Sequence, residues 1–184
     1  MEVFRRIHKN RQGPFSNYLD EAVYGANDGI ITTFAVVSGA TGATLGMEVI
    51  IILGVANLVA DGFSMGASSF LSIRTESDVR KAKGQRLRAE DRTPEALRRS
   101  FVTFTAFVVA GLIPILPFLN GAAEGNEFLV SAIGAGVAFF LIGGMRTMVT
   151  KRGFIRSGSE MLAVGGIAAS LAYGIGYLIH SIVM

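Results

Sequence analysis

Three long uncharged stretches constrain this chain more than any other feature. They comprise 19 residues at 101–119, 18 residues at 128–145 and 19 residues at 161–179. A helix needs about 20 mostly apolar residues to cross the hydrocarbon core of a bilayer. Each stretch is therefore predicted to form a transmembrane helix, and an ordinary soluble enzyme is disfavoured.

Two further segments are interrupted but still long enough to span. Residues 49–73 contain one charged side chain, Asp61, and the uncharged residues 29–47 run almost directly into them. The glycine- and threonine-rich turn signal at 39–46 requires the first span to begin near residues 20–22 and to end near Gly42, which places Asp28 inside the membrane. We therefore predict a single-domain, all-α membrane protein over residues 1–184, with five transmembrane helices at 20–42, 49–73, 101–120, 127–147 and 160–181.

The basic residues predict the orientation of these helices. All 17 Lys and Arg precede the first span, lie between Arg74 and Arg99, or accompany the fourth-to-fifth connection, whereas the opposite connections contain acids and no base. Basic residues favour the cytoplasmic side, so the N-terminus is predicted in the cytoplasm and the C-terminus outside. Residues 74–100 then form a short basic cytoplasmic connection. This placement attributes the net charge of +3 to topology rather than to nucleic acid binding.

Catalysis has little support in the sequence. The chain contains no Cys, which excludes a disulfide scaffold and a Cys-ligated zinc or iron-sulfur site. Its two histidines, His8 and His180, are predicted on opposite sides of the membrane and cannot share one site within a protomer. We therefore predict that the protein is not an enzyme, and a non-transporting scaffold subunit remains the alternative from another class.

Two carboxylates inside the membrane point to an ion. An aspartate at the centre of a membrane helix costs roughly 2.5 to 3.5 kcal/mol on insertion scales. Asp28 and Asp61 therefore need a cavity, a partner or a bound cation, and Arg146 near the cytoplasmic end of the fourth span is the only candidate base within the predicted spans. A protonated carboxyl hydrogen-bonded to a neighbouring helix is the structural alternative for both residues.

Helical spacing places polar residues along one face of each of the first two spans. At about 1.5 Å of rise per residue, Asp28 and Met65 are predicted at similar depths from the cytoplasmic boundary. A soft thioether beside a hard carboxylate favours a borderline transition metal, Fe2+ first with Mn2+ and Co2+ behind it, whereas an all-oxygen site would suit Mg2+ or Ca2+. The two faces comprise Glu21, Tyr24, Asp28 and Thr32 on the first span and Asn57, Asp61, Ser64, Met65 and Ser68 on the second.

These motifs resemble the vacuolar iron transporter family. The resemblance is carried by residues 22–34 (AVYGANDGIITTF) and 56–71 (ANLVADGFSMGASSFL), and by shorter matches at 112–117, 156–158 and 174–176. It covers essentially the whole chain after residue 15 and includes the five-span layout. It implies a homodimer in the lipid bilayer, a metal path at the dimer interface formed by the first two spans, and export of divalent metal from the cytosol in exchange for protons.

The resemblance also assigns roles residue by residue. Asp28 matches the family's intramembrane liganding aspartate, Met65 its liganding methionine, and Glu21 an acidic residue near the cytoplasmic mouth. Asn57 falls where better-known members have a glutamate, which leaves its ligand role open, and Asp61 lies one turn away where it could compensate. Fe2+ enters this interpretation as a transported substrate, with Mn2+ and Co2+ as alternatives, and no cofactor is predicted.

The connection between the second and third spans departs from the better-known members, and the sequence leaves the membrane and the transport mechanism less sharply defined. Residues 74–100 contain no Met and lack the glutamate- and methionine-rich cytoplasmic domain of those members, so metal capture by that route is not expected. The compact, cysteine-free chain favours a prokaryotic plasma membrane over a vacuolar one. Proton exchange and a passive divalent-metal channel both remain open as mechanisms.

Overall fold

The computed structural model describes residues 18–87, 92–120, 125–147 and 153–183, and within these ranges it is helical without strands. His8 lies outside the described residues. The described helices, numbered in chain order, are α1 (Leu19–Gly42), α2 (Met47–Ala82), α3 (Thr93–Gly111), α4 (Leu116–Asn120), α5 (Glu127–Met145) and α6 (Phe154–Val183). The all-α prediction is therefore confirmed for the described part of the chain.

Three of these helices, α2, α5 and α6, are long and apolar enough to cross a membrane by length and composition. The first predicted span coincides with α1, which carries Asp20, Glu21 and Asp28, and the third corresponds to α3 followed by α4. The count of five spans, the orientation of the termini and the homodimer remain predictions.

Helix α2 is a single helix of 36 residues that continues nine residues past the predicted end of the second span. At 1.5 Å per residue it is about 54 Å long, well beyond the roughly 30 Å of a hydrocarbon core. The basic connection at 74–100 is therefore largely helical. A hydrogen bond links its two helical parts, since Arg74 Nη1 of α2 donates to Thr93 Oγ1 of α3 at 2.7 Å.

Both ends of α3 are set by local features of the chain. Thr93 is the first residue of the helix, and Arg92 takes the N-cap position before Pro94. At the other end the helix stops at Gly111, and the chain turns before α4 begins at Leu116. Pro114 cannot donate a backbone hydrogen bond, which favours this break, and Ser131 of α5 donates to the Pro114 carbonyl at 2.6 Å.

Helix α1 is the centre of the molecule and packs against α2, α3, α5 and α6. Its Ile30 and Phe34 join Phe139 of α5 and Ala169 of α6 in one buried cluster. Gly25 and Gly29 face α3, where a Cβ on either residue would lie within 2.4 Å of a backbone oxygen. These two glycines therefore permit close helix approach, and the neighbour they approach is α3 of the same chain.

Candidate metal transport site

Helix α3 sets the level at which α1 and α2 present their acidic residues. Phe107 of α3 lies against both Gly29 of α1 and Gly62 of α2. Asp28 and Asp61 immediately precede these two glycines, so they are held at the same level of the helix bundle. The two carboxylates are close enough to act on each other electrostatically, and both residues are partly buried. Two nearby acids are an arrangement that a cation between them would stabilise.

Asp28 lines a cavity of about 370 Å³ on the side of α1 that faces α5 and α6. Asp20 and Asn27 line the same cavity, and the Asn27 Oδ1 atom is buried without a hydrogen-bond partner among the described residues. Arg146, the base proposed from the sequence, lies in this cavity. Met161 of α6 lies there as well. Sequence spacing gave no reason to select Met161, because it is far from Asp28 along the chain and belongs to no polar face.

Met65 lines a second cavity of about 350 Å³ on the side of α1 that faces α2 and α3. It shares this cavity with Glu21, near the N-terminal end of α1, rather than with Asp28. The similar depth predicted for Asp28 and Met65 is therefore offset by about one turn, since Asp61 takes the position level with Asp28. The hydroxyl-bearing lining residues are Ser68, Ser69 and Ser72 of α2 and Tyr24 of α1.

Tyr24 lines both cavities and separates them. Tyr24 is 65% exposed in the single chain. Two other polar residues of these helices, Thr32 and Asn57, differ in their hydrogen bonds. Thr32 Oγ1 donates to the Asp28 backbone carbonyl at 2.9 Å, whereas Asn57 Nδ2 is buried without a hydrogen-bond acceptor among the described residues.

Glu21 has a partner that sequence reasoning missed. Arg99 of α3 donates from Nη1 to Glu21 Oε1 at 2.7 Å, and Arg99 Nε lies 3.9 Å from Glu95 Oε1. Arg99 is 78 residues from Glu21 and falls in a run of basic residues that the sequence attributes to topology. Arg146 is thus not the only base beside the acidic residues of the first two spans. The contact depends on how α3 packs against α1, which the sequence pattern does not indicate.

The two cavities that share Tyr24 both offer donors. Asp20, Asp28 and Met161 line one of them, and Glu21 and Met65 line the other. Among the described residues no group of three or more His, Cys, Asp and Glu side chains is placed to hold a metal ion. Methionine, asparagine and serine, which supply several of the groups here, are not part of that count. Such a set can hold a cation transiently through few protein ligands and retained water.

Comparison with known proteins places the chain among membrane transporters. The sequence profile of the VIT family matches residues 19–96 and 85–177. The chain belongs to the VIT family. The resemblance drawn from its sequence motifs is confirmed, and membership of this transporter family agrees with the prediction that the chain is not an enzyme. It is an integral membrane protein.

Individual relatives are similar over most of the chain. A vacuolar iron transporter of Toxoplasma gondii is 25% identical over 249 aligned positions, which cover 100% of this chain and 82% of the relative. Vacuolar iron transporter homolog 3 of Arabidopsis thaliana is 28% identical over 174 positions, covering 90% and 85%. A vacuolar iron transporter of Plasmodium berghei is 25% identical and covers 95% of this chain and 86% of the relative.

The lengths of these alignments bear on the short connection between α2 and α3. The Toxoplasma alignment is longer than the 184 residues of this chain, so the relative contains residues that this chain lacks. The two segments of the VIT family match meet between residues 85 and 96, within that connection. The short form of the connection stays a prediction from the sequence.

Proposed function

We propose that this member of the VIT family transports a divalent transition metal, Fe2+ before Mn2+ or Co2+, out of the cytosol. The observation that carries the proposal is the distribution of donors around Tyr24. Asp28 and Asp61 share one level of the bundle, and Met65 and Glu21 line the adjoining cavity. Relatives named vacuolar iron transporter support iron as the substrate.

In this proposal the ion is handed between the two groups of donors. Glu21 and Met65 receive it near the N-terminal end of α1, and Asp28 and Asp61 hold it one to two turns farther into the bundle. A carboxylate supplies the charge that a divalent ion needs, while the thioether favours transition metals over Ca2+ and Mg2+. Asn57 lies a further turn along α2 and supplies an amide without a charge.

A second protomer completes the path in this proposal. Within one chain Ser64 and Ser68 of α2 are exposed, and Tyr24 of α1 is mostly exposed. Polar groups are costly against lipid, which favours burial of this face against its symmetry mate. Since Gly25 and Gly29 are already covered by α3, the exposed serines of α2 are small residues that remain available for the interface.

Proton exchange follows from the same carboxylates. Metal and proton are alternative ligands of a carboxylate, so binding of the metal releases a proton and release of the metal allows reprotonation. A passive divalent-metal channel is the competing mechanism, and a non-transporting scaffold is the alternative from another class.

The test is a flux measurement with the purified full chain in liposomes. Fe2+, Mn2+, Co2+, Zn2+ and Ca2+ are compared, with and without a pH gradient, while valinomycin clamps the voltage. We expect saturable Fe2+ movement that an acidic acceptor side accelerates, with a counter-directed proton signal on a pH dye. Flux without any proton signal identifies a channel. Flux equal to that of protein-free liposomes for every ion rejects transport and favours the scaffold.

A further inference from the structure

The ion pair between Glu21 and Arg99 is largely buried. The two side chains are 15% and 22% exposed, and their nearest atoms are 2.7 Å apart. Burial lowers the effective dielectric and strengthens attraction between opposite charges, whereas exposed pairs contribute little. The guanidinium therefore competes strongly with any other cation for the Glu21 carboxylate.

Arg99 also lies near a second carboxylate within its own helix. Its Nε atom lies 3.9 Å from Glu95 Oε1, one helical turn earlier on α3. The guanidinium thus lies between a carboxylate on α1 and a carboxylate on α3.

The Glu21 carboxylate is only partly satisfied. Its Oε1 atom accepts from Arg99, but Oε2 is buried without a hydrogen-bond partner among the described residues. The cavity beside it contains Met65 and three serines, and Arg99 lines the same cavity. A divalent cation there would meet an oxygen and a sulfur ligand, and it would also meet the positive charge of the guanidinium.

We propose that Arg99 is a tethered counter-ion that neutralises Glu21 when no metal is bound and moves to Glu95 when a divalent metal ion binds. The inference rests on the proposed function and adds to it a residue that sets affinity at the entrance. Arg99 is a positioning residue, since a guanidinium has no lone pair with which to ligate a metal. The competing interpretation is a static clamp that only holds α1 against α3.

Three single substitutions separate the two interpretations, because a counter-ion role predicts that two of them change the Kd for Mn2+ in opposite directions. The readout is Mn2+ binding to the purified full chain, followed by electron paramagnetic resonance of the free ion. Arg99→Gln removes the competitor and should lower the apparent Kd about tenfold, the equivalent of about 1.4 kcal/mol. Glu95→Gln removes the alternative acceptor and should raise the Kd several-fold. Arg98→Gln, an exposed neighbour of equal charge, should change it little.

A double substitution tests whether the effect acts through Glu21. If Arg99→Gln tightens binding by freeing that carboxylate, the gain must disappear in Glu21→Gln/Arg99→Gln, and the coupling between the positions is read from the cycle. A static clamp predicts instead that Arg99→Gln weakens Mn2+ binding and lowers thermal stability together. If Arg99→Gln does not fold, Glu95→Gln still decides the question, because it leaves the pair between α1 and α3 intact.

The outcomes also separate this inference from the proposed function. Mn2+ binding and Fe2+ flux by the unmodified chain, with equal Kd values in it, Arg99→Gln and Glu95→Gln, overturn the counter-ion and leave transport standing. Absence of both binding and flux in the unmodified chain overturns both. Opposite shifts in the two variants, with Arg98→Gln unchanged, support the counter-ion.

Discussion

Gly29 is the residue at which the packing of α1 on α3 can be tested most sharply. It directly follows Asp28, and a Cβ at this position would lie 2.2 Å from the Phe107 carbonyl oxygen and 2.9 Å from its Cα. These are backbone atoms, so no rotamer change relieves the overlap. Gly29→Ala must push α1 and α3 apart, which also displaces Asp28 relative to Asp61.

The expected loss of stability follows from two opposed terms. Overpacking a well-packed interior costs roughly 1 to 3 kcal/mol, and an overlap with backbone belongs at the upper end of that range. Replacing a helical glycine by alanine returns up to about 1 kcal/mol through helix propensity. A net loss of about 2 kcal/mol corresponds to a Tm about 4 to 8 °C lower for a chain of this size.

The measurement is thermal stability in detergent, followed by the fraction of protein that elutes as a single peak after heating. Gly174→Ala on α6 is the matched control, because a Cβ there meets nothing within 4 Å. It should keep or raise the Tm, since only the propensity term applies. Equal Tm values for Gly29→Ala and the unmodified chain would refute the close approach of α1 to α3.

Two further predictions concern the ligands and the interface. Met65→Ala should raise the apparent KM for Fe2+ by about tenfold, which is the scale on which loss of a supporting group weakens a metal site, and it should have less effect on any Ca2+ leak. Met47→Ala replaces an exposed methionine on the same helix and should leave the KM unchanged. Equal KM values for Met65→Ala and the unmodified chain would remove Met65 from the site. Ser68→Cys should give cross-linked dimers, whereas Ile167→Cys, 61% exposed on α6, should stay monomeric; the reverse pattern would place the interface on α6.

Much of the helix layout followed from the sequence because it depends on local properties. Uncharged length predicts helices that can span, and the turn before Met47 follows from the glycines and threonines at 39–46. The break after Gly111 also depends on a local property, because Pro114 cannot donate a backbone hydrogen bond. The extension of α2 to Ala82 was not foreseeable, because the end of an apolar stretch does not require the end of a helix.

The candidate site likewise has residues that the sequence predicts and contacts that it does not. Helical periodicity placed Asn57, Asp61 and Met65 along one side of α2. The free-energy cost of inserting an aspartate into a bilayer singled out Asp28 and Asp61. The contact of Arg99 with Glu21 could not be obtained like this, because it depends on how α3 packs against α1 and joins residues far apart in the chain.

The account depends most on Asp28, and one flux comparison tests it. Asp28→Asn keeps the size and a polar oxygen but removes the charge that a divalent cation needs, so Fe2+ flux into liposomes should fall by at least about tenfold. Glu48→Gln, which removes an exposed acid at the start of α2, controls for loss of charge elsewhere. Asp28→Asn protein that is folded and transports Fe2+ at the unmodified rate would contradict the account.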